Sequence, residues 1–546
     1  MTGWKKYQWL LAAILAGGLF TLAFPLAGVA GFAWIVPGIA LYTGIRDTPR
    51  RAFQTGYVFG LTFSLGTLYW LNYMPVKGMP ILAWIALAGY LALYYATWLW
   101  FCHQTLPAPL EEFLNAPWGQ RTLWIMTCAA TWTLAENVMG WIFTGFPFVA
   151  IGVTQHRMIP LIQITSITGL PGLSFIIVWF SLSLMFSMLA LATQPKHRFL
   201  AWREIFLPLL VIAILFAWGG NRVSRYARDL QIDAKRVKVA LVQPSFPQTL
   251  IWNHGESTNR FNKLLELSQA AVAARPDVLI WPEAGMPGLI RYEEHVYETV
   301  TRLAKENQVW LICGGDDARM PTDQPEVKRP NYYNSVFLVT PDGEIAGQYD
   351  KRRLVIFGEY VPLSKWLPFL KRLTPIGEGF AAGKEAEQLE LTNLNLKASP
   401  LICFEDIFAD LARDSLAPDT DLLVNLTNDG WFSESAQQWQ HLANALFRSV
   451  ETGRPLIRCA NNGISCWIDG VGRVHAERFP DDRSAYAQGT RAFEMSLPKD
   501  PISTVYLTHG DWFVVVCFAL LARAAFLLWR QRRLNKPESD VSNTDT

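Results

Sequence analysis

Apolar residues concentrate in the first 220 residues of this chain and in one stretch near its end. These stretches are long enough to cross a hydrocarbon core of about 30 Å as helices. We predict eight membrane-spanning helices, near residues 8–24, 26–44, 54–74, 80–102, 121–143, 162–192, 204–220 and 511–529. The first run could instead be a cleaved signal peptide, since two lysines precede it and small residues follow it. The many further spans favour an uncleaved helix.

Between residues 221 and 510 the pattern changes to short apolar runs separated by segments of helical periodicity. This alternation predicts a layered α/β domain. The predicted strands are 237–243, 278–281, 309–313, 335–339, 400–403, 422–426 and 456–460, and the predicted helices are 258–274, 293–306 and 439–451. The pair Asp342-Gly343 predicts a hairpin turn between 335–340 and 344–351.

Basic residues predict the orientation in the membrane, because short loops rich in Lys and Arg stay on the cytoplasmic side. With eight spans, the basic clusters at 5–6, 46–51, 196–203 and 530–536 all fall on one side. The termini are then cytoplasmic, and the α/β domain lies in the periplasm of a bacterium. The predicted organisation is a seven-span membrane domain (1–220), an extramembrane domain (221–510), a last span (511–530) and a cytoplasmic tail (531–546).

Composition narrows the functional classes. Hydrophobic residues make up 51% of the chain and charged residues 17%, against about 25% charged in an average soluble protein, so lipid is part of the solvent. A net charge of +2 and the lack of a basic stripe argue against nucleic acid as a partner. The seven cysteines form no Cys-x-x-Cys pair, so neither a zinc cage nor a complete disulfide framework is indicated. No metal or cofactor is predicted.

Three reactive side chains each follow an apolar strand, where a rigid scaffold can hold a group and still expose it to substrate. Glu283 follows 278–281 and Pro282, and desolvation there would raise the pKa of its carboxyl toward that of a general base. Lys351 and Cys403 end two further strand-like segments. Taken singly, each has an ordinary alternative: a loop-capping acid, a solvated basic face and a small core residue.

Taken together and in this order, these segments resemble the nitrilase superfamily of carbon-nitrogen hydrolases, which use a Glu-Lys-Cys triad. The resemblance covers about residues 237–493. It extends to Asn-Leu-Thr-Asn-Asp-Gly-Trp-Phe at 425–432 and to Gly-Arg-Pro-Leu-Ile-Arg-Cys-Ala-Asn-Asn-Gly at 453–463. It implies a nitrilase-like α-β-β-α sandwich in which Glu283, Lys351 and Cys403 are catalytic.

With seven predicted spans before this domain and one after it, the whole chain resembles the apolipoprotein N-acyltransferase family. That resemblance implies an enzyme of the bacterial inner membrane that carries out the last step of lipoprotein maturation. Its acyl donor would be a membrane phospholipid and its acceptor a diacylated apolipoprotein. Two positions depart from the family's pattern: Arg352 and Arg353 replace an expected His pair, and Phe404 stands where Tyr is commoner. The Arg pair could alter how a phosphate headgroup is held.

The residue types agree with an acyl transfer through a cysteine thioester, the reaction that the resemblance implies. A free thiol has a pKa of about 8.5 and is mostly protonated at neutral pH, so Glu283 would take the proton from Cys403. The thiolate would attack an acyl ester, while Lys351 and the backbone N–H of Phe404 stabilise the oxyanion. The α-amine of a diacylglyceryl-cysteine would then attack the thioester in a ping-pong reaction.

Supporting roles are predicted for three further residues. Glu359 would hold Lys351 and keep it cationic. Glu405 would orient the nucleophile strand, unless it is an ordinary surface acid. Trp252 resembles a substrate-contacting aromatic, although a Trp near a membrane surface is as often an interfacial anchor. The remaining extramembrane thiols, which lie in or beside apolar runs, are predicted to be packing residues: Cys313, Cys459 and Cys466.

The segment 362–383 interleaves large apolar residues, among them Trp366 and Phe369, with Lys and Arg. This pattern suits an amphipathic arm in the bilayer interface, which would bring acyl chains to Cys403 and limit the access of water. A helix packed on the domain is the alternative.

Three other functions remain open at this point. A membrane-anchored amidase would share the triad but would have no use for so many spans or for an apolar arm. A non-enzymatic docking module would have no need of all three triad residues. A transporter would require charged groups within the spans, where Glu136 is the main one.

Overall fold

Helices account for most of the described residues up to Ile232. The structure is a computed structural model that describes residues 3–76, 78–193, 202–321, 329–362, 364, 366, 379–475 and 484–534. The first ten helices are α1 (Gly3–Thr21), α2 (Val36–Ile45), α3 (Pro49–Thr67), α4 (Met79–Thr105), α5 (Leu110–Phe113), α6 (Trp118–Met139), α7 (Ile159–Ile162), α8 (Thr165–Thr168), α9 (Leu170–Thr193) and α10 (Arg203–Ile232). Short 3-10 helices join them at Ala30–Trp34, Tyr69–Tyr73, Ile142–Thr144, Pro147–Val149 and Ile151–Gln155.

Among the described residues, three helices are long and apolar enough to cross a membrane: α4, α9 and α10. Shorter apolar helices lie at Tyr7–Thr21, Ala30–Ile45, Ile159–Thr168 and Trp512–Leu527. The predicted span 162–192 is divided at Gly169, whose φ of +66° ends α8 before α9 begins. The count of eight spans therefore stays a prediction.

Close helix packing in this region depends on small residues. A Cβ on Gly56 would lie only 2.5 Å from the carbonyl oxygen of Tyr95, and one on Gly60 would lie 2.6 Å from the ring of the same tyrosine. Because neither glycine has a side chain, α3 and α4 can approach along their length.

Glu136, the acid predicted to lie within a span, has two protein partners. Its Oε1 accepts hydrogen bonds from Trp132 Nε1 and from the backbone N–H of Ile151, both at 2.7 Å. The carboxyl thus ties α6 to the 3-10 helix Ile151–Gln155.

The described residues after α10 form two six-stranded sheets, in the orders β12-β1-β2-β3-β4-β5 and β11-β10-β9-β8-β7-β6. The strands are β1 (Ala234–Gln243), β2 (Val278–Ile280), β3 (Trp310–Arg319), β4 (Asn331–Val339), β5 (Ile345–Asp350), β6 (Leu389–Leu391), β7 (Leu396–Ile402), β8 (Leu422–Thr427), β9 (Leu456–Ala460), β10 (Cys466–Ile468), β11 (Val474–His475) and β12 (Gly489–Pro498). β1, β2 and β3 are parallel, as are β7, β8 and β9. Each parallel set therefore brings its carboxyl ends to one edge.

The two sheets pack face to face, with apolar residues such as Val239, Ile312 and Val424 between them. The remaining helices are α11 (Gln248–Ile251), α12 (Ser257–Val272), α13 (Glu294–Asn307), α14 (Ala409–Asp414), α15 (Gln437–Thr452), α16 (Val505–His509) and α17 (Trp512–Leu534). α12 and α13 cover the outer face of the first sheet. α15 covers the second sheet and shares one apolar core with the N-terminal helices. The order of layers is α-β-β-α.

Every predicted strand and helix of this domain is confirmed, with shifts at the ends. β9 matches its prediction, whereas β7 begins at Leu396 and not at 400. The predicted hairpin turn is confirmed: Gly343 has a φ of +83°, and β4 pairs antiparallel with β5. β6, β10, β11 and β12 were not predicted. β12 carries polar, partly exposed residues along the edge of its sheet, so it lacks the apolar run that marks a buried strand.

Candidate active site

Glu283 is placed by a tight contact between β2 and β3. After β2 the chain continues through buried Trp281, whose indole N–H donates to Ser268 Oγ at 2.9 Å. Gly314 on β3 lies against this segment: a Cβ there would be 2.6 Å from Pro282 O and 2.9 Å from the Cα of Glu283. Because Gly314 has no side chain, the chain can place Glu283 at the sheet edge. Only 7% of the surface of Glu283 is exposed there.

Lys351 follows β5 directly and is almost fully buried, with 1% of its surface exposed. Its Nζ donates to Glu359 Oε1 at 2.7 Å and to Glu283 Oε1 at 3.3 Å. Burial by itself would lower the pKa of Lys351, but the charges of Glu283 and Glu359 raise that pKa well above its usual value. The lysine is therefore a fixed cation beside two carboxylates.

Asn334 on β4 completes this group and was missed in the sequence. Its Nδ2 donates to Glu283 Oε1 at 2.8 Å and to Glu359 Oε1 at 3.0 Å. Strand alternation puts Asn334 on the same face as Val336 and Leu338, which line the core between the sheets. The sequence therefore did contain a signal for Asn334: a polar residue on the strand face that otherwise carries buried apolar residues.

Cys403 follows β7 directly, as the first residue of a 3-10 turn, and is half-buried. Its φ of +54° is uncommon for a residue with a side chain, and its carbonyl oxygen accepts a hydrogen bond from Asn425 Nδ2 at 2.8 Å. Burial, together with the charge of Glu283, raises the pKa of the thiol, while Lys351 and the hydroxyl of Thr427 act in the opposite direction. The net shift is upward, so the resting thiol is protonated and needs a base to become a nucleophile.

Glu405 is fully buried, so its reading as an ordinary surface acid is wrong. Its Oε1 accepts the backbone N–H groups of Arg352 at 2.7 Å and Arg353 at 2.9 Å. Its Oε2 accepts the hydroxyl of Tyr349 at 2.9 Å and the backbone N–H of Ile402 at 2.8 Å. Glu405 thus fastens the segment after Lys351 to the strand that ends at the thiol. Burial raises the pKa of its carboxyl, and the backbone donors act against that shift.

The side chains of the Arg pair are both held by the protein. Arg352 donates to Ser415 Oγ and to the carbonyl of Leu411. Arg353 pairs with Asp410 at 2.9 Å and stacks over the ring of Phe408 at 4.1 Å. Because both guanidinium groups bind α14 or its ends, the effect proposed for them on a phosphate headgroup has no support in this geometry.

The predicted aromatic contacts fall in different surroundings. Phe404 lies with its ring centre 5.5 Å from Lys351 Nζ. Trp252 is 38% exposed and meets Trp431 edge-on at 5.2 Å. Trp366 is 83% exposed. Phe369 and most of the predicted arm 362–383 lie outside the described residues.

Four buried charged residues bind one another next to the turn of Cys403, and they were not predicted. We call Asp406, Asp429, His441 and Arg458 the ion cluster; all are at most 1% exposed. Asp406 lies in the 3-10 helix that begins at Cys403. Asp429 and Arg458 lie in the family-like segments 425–432 and 453–463, but the contacts of the cluster join four separate segments and are not visible in any one of them.

The site lies next to the N-terminal helices. Gln440 on α15 donates to the carbonyls of Pro25 at 2.9 Å and Thr67 at 3.1 Å, and it accepts the indole N–H of Trp70 at 3.0 Å. The ring of Trp70 also packs against Phe432 at 4.7 Å. The helical region and the catalytic domain are therefore joined directly under the candidate site.

Two family models match parts of this chain, and several known proteins are similar to it. A carbon-nitrogen hydrolase family model matches residues 238–491, and the model of the apolipoprotein N-acyltransferase N-terminal domain matches residues 16–183. An apolipoprotein N-acyltransferase of Geobacter metallireducens is 32% identical over 96% of this chain and 96% of its own. One of Bradyrhizobium diazoefficiens is 32% identical over 98% of this chain and 96% of its own. A solved amidase from Nesterenkonia sp. is 15% identical, covers 53% of this chain and 98% of its own, and has a TM-score of 0.36.

Proposed function

Because this chain belongs to the apolipoprotein N-acyltransferase family, we propose that it moves a fatty acyl chain from a membrane phospholipid to the α-amine of diacylglyceryl-cysteine in apolipoproteins. One observation carries the proposal: a buried lysine is held between two carboxylates, Glu283 and Glu359, at the sheet edge where the half-buried thiol of Cys403 follows its strand. This arrangement has a base, a fixed cation and a nucleophile within one group.

In the first half-reaction Glu283 takes the proton of Cys403, and the thiolate attacks the acyl ester carbonyl. The charge that develops on the carbonyl oxygen is stabilised by Lys351 and the backbone N–H of Phe404, at roughly 3 kcal/mol per donor in comparable sites. The carbon–sulfur bond forms, the ester carbon–oxygen bond breaks, and Glu283 gives its proton to the departing lysophospholipid.

In the second half-reaction Glu283 accepts a proton from the amine of the incoming diacylglyceryl-cysteine. The nitrogen attacks the thioester, the carbon–nitrogen bond forms, and the carbon–sulfur bond breaks. Cys403 leaves as a thiolate and takes that proton from Glu283, which restores both groups. Glu359 and Asn334 act throughout by fixing Lys351 and Glu283.

The same proposal gives the enzyme a place in the cell. Residues 1–220 and 511–530 lie in the bacterial inner membrane, residues 221–510 lie on its periplasmic side, and residues 531–546 form a cytoplasmic tail. The direct bonds of α15 to the N-terminal helices support a site at the membrane surface, where a phospholipid ester can reach Cys403.

The decisive experiment follows the acyl group. Purified full-length protein is incubated with a defined phospholipid and analysed by mass spectrometry, and a diacylated lipopeptide is then added. We expect the Cys403 peptide to gain one acyl chain and to lose it to the lipopeptide. Cys403→Ala should abolish both steps, while Cys313→Ala, which changes a buried thiol in another core, should retain them.

Two results would contradict the proposal. If acyl transfer persists in Cys403→Ala, Cys403 is not the nucleophile. If the protein hydrolyses small amides, releasing free fatty acid or ammonia, and transfers no acyl chain to the lipopeptide, a membrane-anchored amidase is favoured.

A further inference from the structure

The ion cluster contains a histidine held by carboxylates on both sides. His441 Nε2 lies 2.8 Å from Asp406 Oδ1, and His441 Nδ1 lies 2.8 Å from Asp429 Oδ1. An ionised carboxylate only accepts hydrogen bonds, so both ring nitrogens must carry protons to satisfy both partners. Burial by itself would lower the pKa of His441, but Asp406 and Asp429 raise it to about 9. His441 is an imidazolium at neutral pH.

Arg458 adds the second positive charge. It binds Asp406 through Nη1, and its Nη2 lies 3.8 Å from Asp429 Oδ2. With two carboxylates, one imidazolium and one guanidinium, the cluster is neutral as a whole. Removing one partner would leave an uncompensated charge in a region without solvent, which is costly.

The ion cluster is linked to the nucleophile, Cys403, in two ways. Asp406 belongs to the same 3-10 turn as Cys403, Cys403–Ile407. Asp429 is close enough for its negative charge to raise the pKa of the Cys403 thiol. The charge of His441 opposes that effect because it sits directly on Asp429.

We propose that His441 is a positioning residue for the acyl-transfer reaction: clamped between Asp406 and Asp429, its imidazolium holds the nucleophile turn and cancels the negative charge that Asp429 presents to the Cys403 thiolate. The inference rests on the proposed function only in taking Cys403 as the nucleophile. His441 itself does not touch substrate.

The position of His441 in the fold adds to this role. It follows Gln440, the residue that binds the N-terminal helices, and its ring lies 6.1 Å from that of Phe148 in that region. One helix therefore fixes both the membrane contact and the turn of Cys403. That turn needs support, because its left-handed φ of +54° is unfavourable for a residue with a Cβ.

The other charged groups near the thiol remain in place in the test below. Glu283 and Lys351 act on Cys403 from the first sheet. On α15, Arg448 donates to Ile407 O at 2.7 Å and pairs with Glu451 at 2.7 Å. Since none of these is altered, a change in thiol reactivity can be assigned to the cluster.

The test measures the alkylation rate of Cys403 by iodoacetamide against pH, in full-length protein in detergent without substrate. Mass spectrometry of the Cys403 peptide reports the rate. His441→Asn leaves the cluster with one excess negative charge and should raise the apparent pKa of Cys403 by about one unit, or slow alkylation about tenfold at a fixed pH below that pKa. Asp429→Asn leaves one excess positive charge and should lower the pKa.

Two further variants separate charge from structure. The double variant His441→Asn/Asp429→Asn restores neutrality and should bring the pKa of Cys403 back toward the wild-type value. A purely structural role instead predicts that the alkylation rate of Cys403 departs further from the wild-type rate than in either single variant. His475→Asn is the matched control, because His475 also pairs with an aspartate, Asp469 at 3.3 Å, on a strand at the edge of the second sheet. It should leave the profile unchanged.

Each outcome decides the matter. Shifts of the same sign in the two single variants, or no shift in either, would overturn the proposal. If His441→Asn does not fold, the double variant decides: a pKa of Cys403 near the wild-type value supports the proposal, and a pKa as low as in Asp429→Asn overturns it. If the wild-type protein transfers no acyl chain and the thiol still shifts as expected, the proposed function fails while the role of His441 stands.

Discussion

At the scale of single residues, the candidate site is a set of charges that fix one another. The predicted contact between Glu359 and Lys351 is present at 2.7 Å. Asn334 adds what the sequence did not reveal, because one amide donates to both carboxylates at once. The two glutamates and the lysine are thereby held in one arrangement before any substrate arrives, which is what electrostatic stabilisation of an oxyanion requires.

Removal of that amide should weaken catalysis more than folding. In Asn334→Ala, Glu283 and Glu359 each lose a buried donor, a loss of about 1–3 kcal/mol. We expect thioester formation on Cys403 to slow by about 10- to 100-fold, measured in single turnover with a defined phospholipid. Asn331→Ala, at the exposed start of the same strand, is the control and should stay near the wild-type rate. Equal rates for the two variants would refute this role.

At the scale of elements, α15 is the connection between the catalytic domain and the membrane helices. Nearly all of its residues are buried, which is unusual for the outer layer of a sandwich. The reason is that α15 packs against the second sheet on one side and against the N-terminal helices on the other. Two of its polar residues bind distant backbone groups: Gln440 donates to the carbonyls of Pro25 and Thr67, and Asn444 donates to the carbonyl of Phe148.

Gln440→Leu tests this connection. The variant leaves the carbonyls of Pro25 and Thr67 and the indole N–H of Trp70 without their partner, and each such loss costs about 1–3 kcal/mol. We expect a lower midpoint of thermal unfolding in detergent. Gln269→Leu, on the exposed side of α12, should change stability by no more than about 0.5 kcal/mol. Equal midpoints would show that the contact contributes nothing.

At the scale of the whole molecule, one helix carries the chain from the membrane region to the sheets. α10 runs past residue 220, where the boundary was predicted, and ends at Ile232, two residues before β1. At the other end, Trp512 of α17 donates to the carbonyl of Ile167 at 2.7 Å. The chain therefore leaves the helical region through α10 and returns to it at α17. These two connections limit the rotation of the catalytic domain relative to the bilayer.

The proposed orientation can be measured by labelling from one side of the membrane. In whole cells with a permeabilised outer membrane, Asp342→Cys in the β4–β5 turn should react with a membrane-impermeant maleimide. Ser542→Cys, in the part of the tail outside the described residues, should react only after lysis. The reverse pattern would place the catalytic domain in the cytoplasm and remove the basis for access from the periplasmic leaflet.

The sequence by itself determined most of the strands and helices of the α/β domain and indicated its candidate reactive residues. Periodicity marked most of the buried strands, and Glu283, Lys351 and Cys403 were predicted to be reactive because each follows a strand-like run, a feature read over a few neighbouring positions. Edge strands such as β12 were missed, since their polar residues produce no such run.

Only the tertiary structure decided how those residues are supported. Asn334, the inward placement of Glu405 and the ion cluster depend on contacts between segments up to tens of positions apart, such as Asp406 with Arg458. Such contacts follow from strand register and from the packing of α15, which are set by the sum of many weak interactions across the molecule. No short stretch of sequence contains that sum.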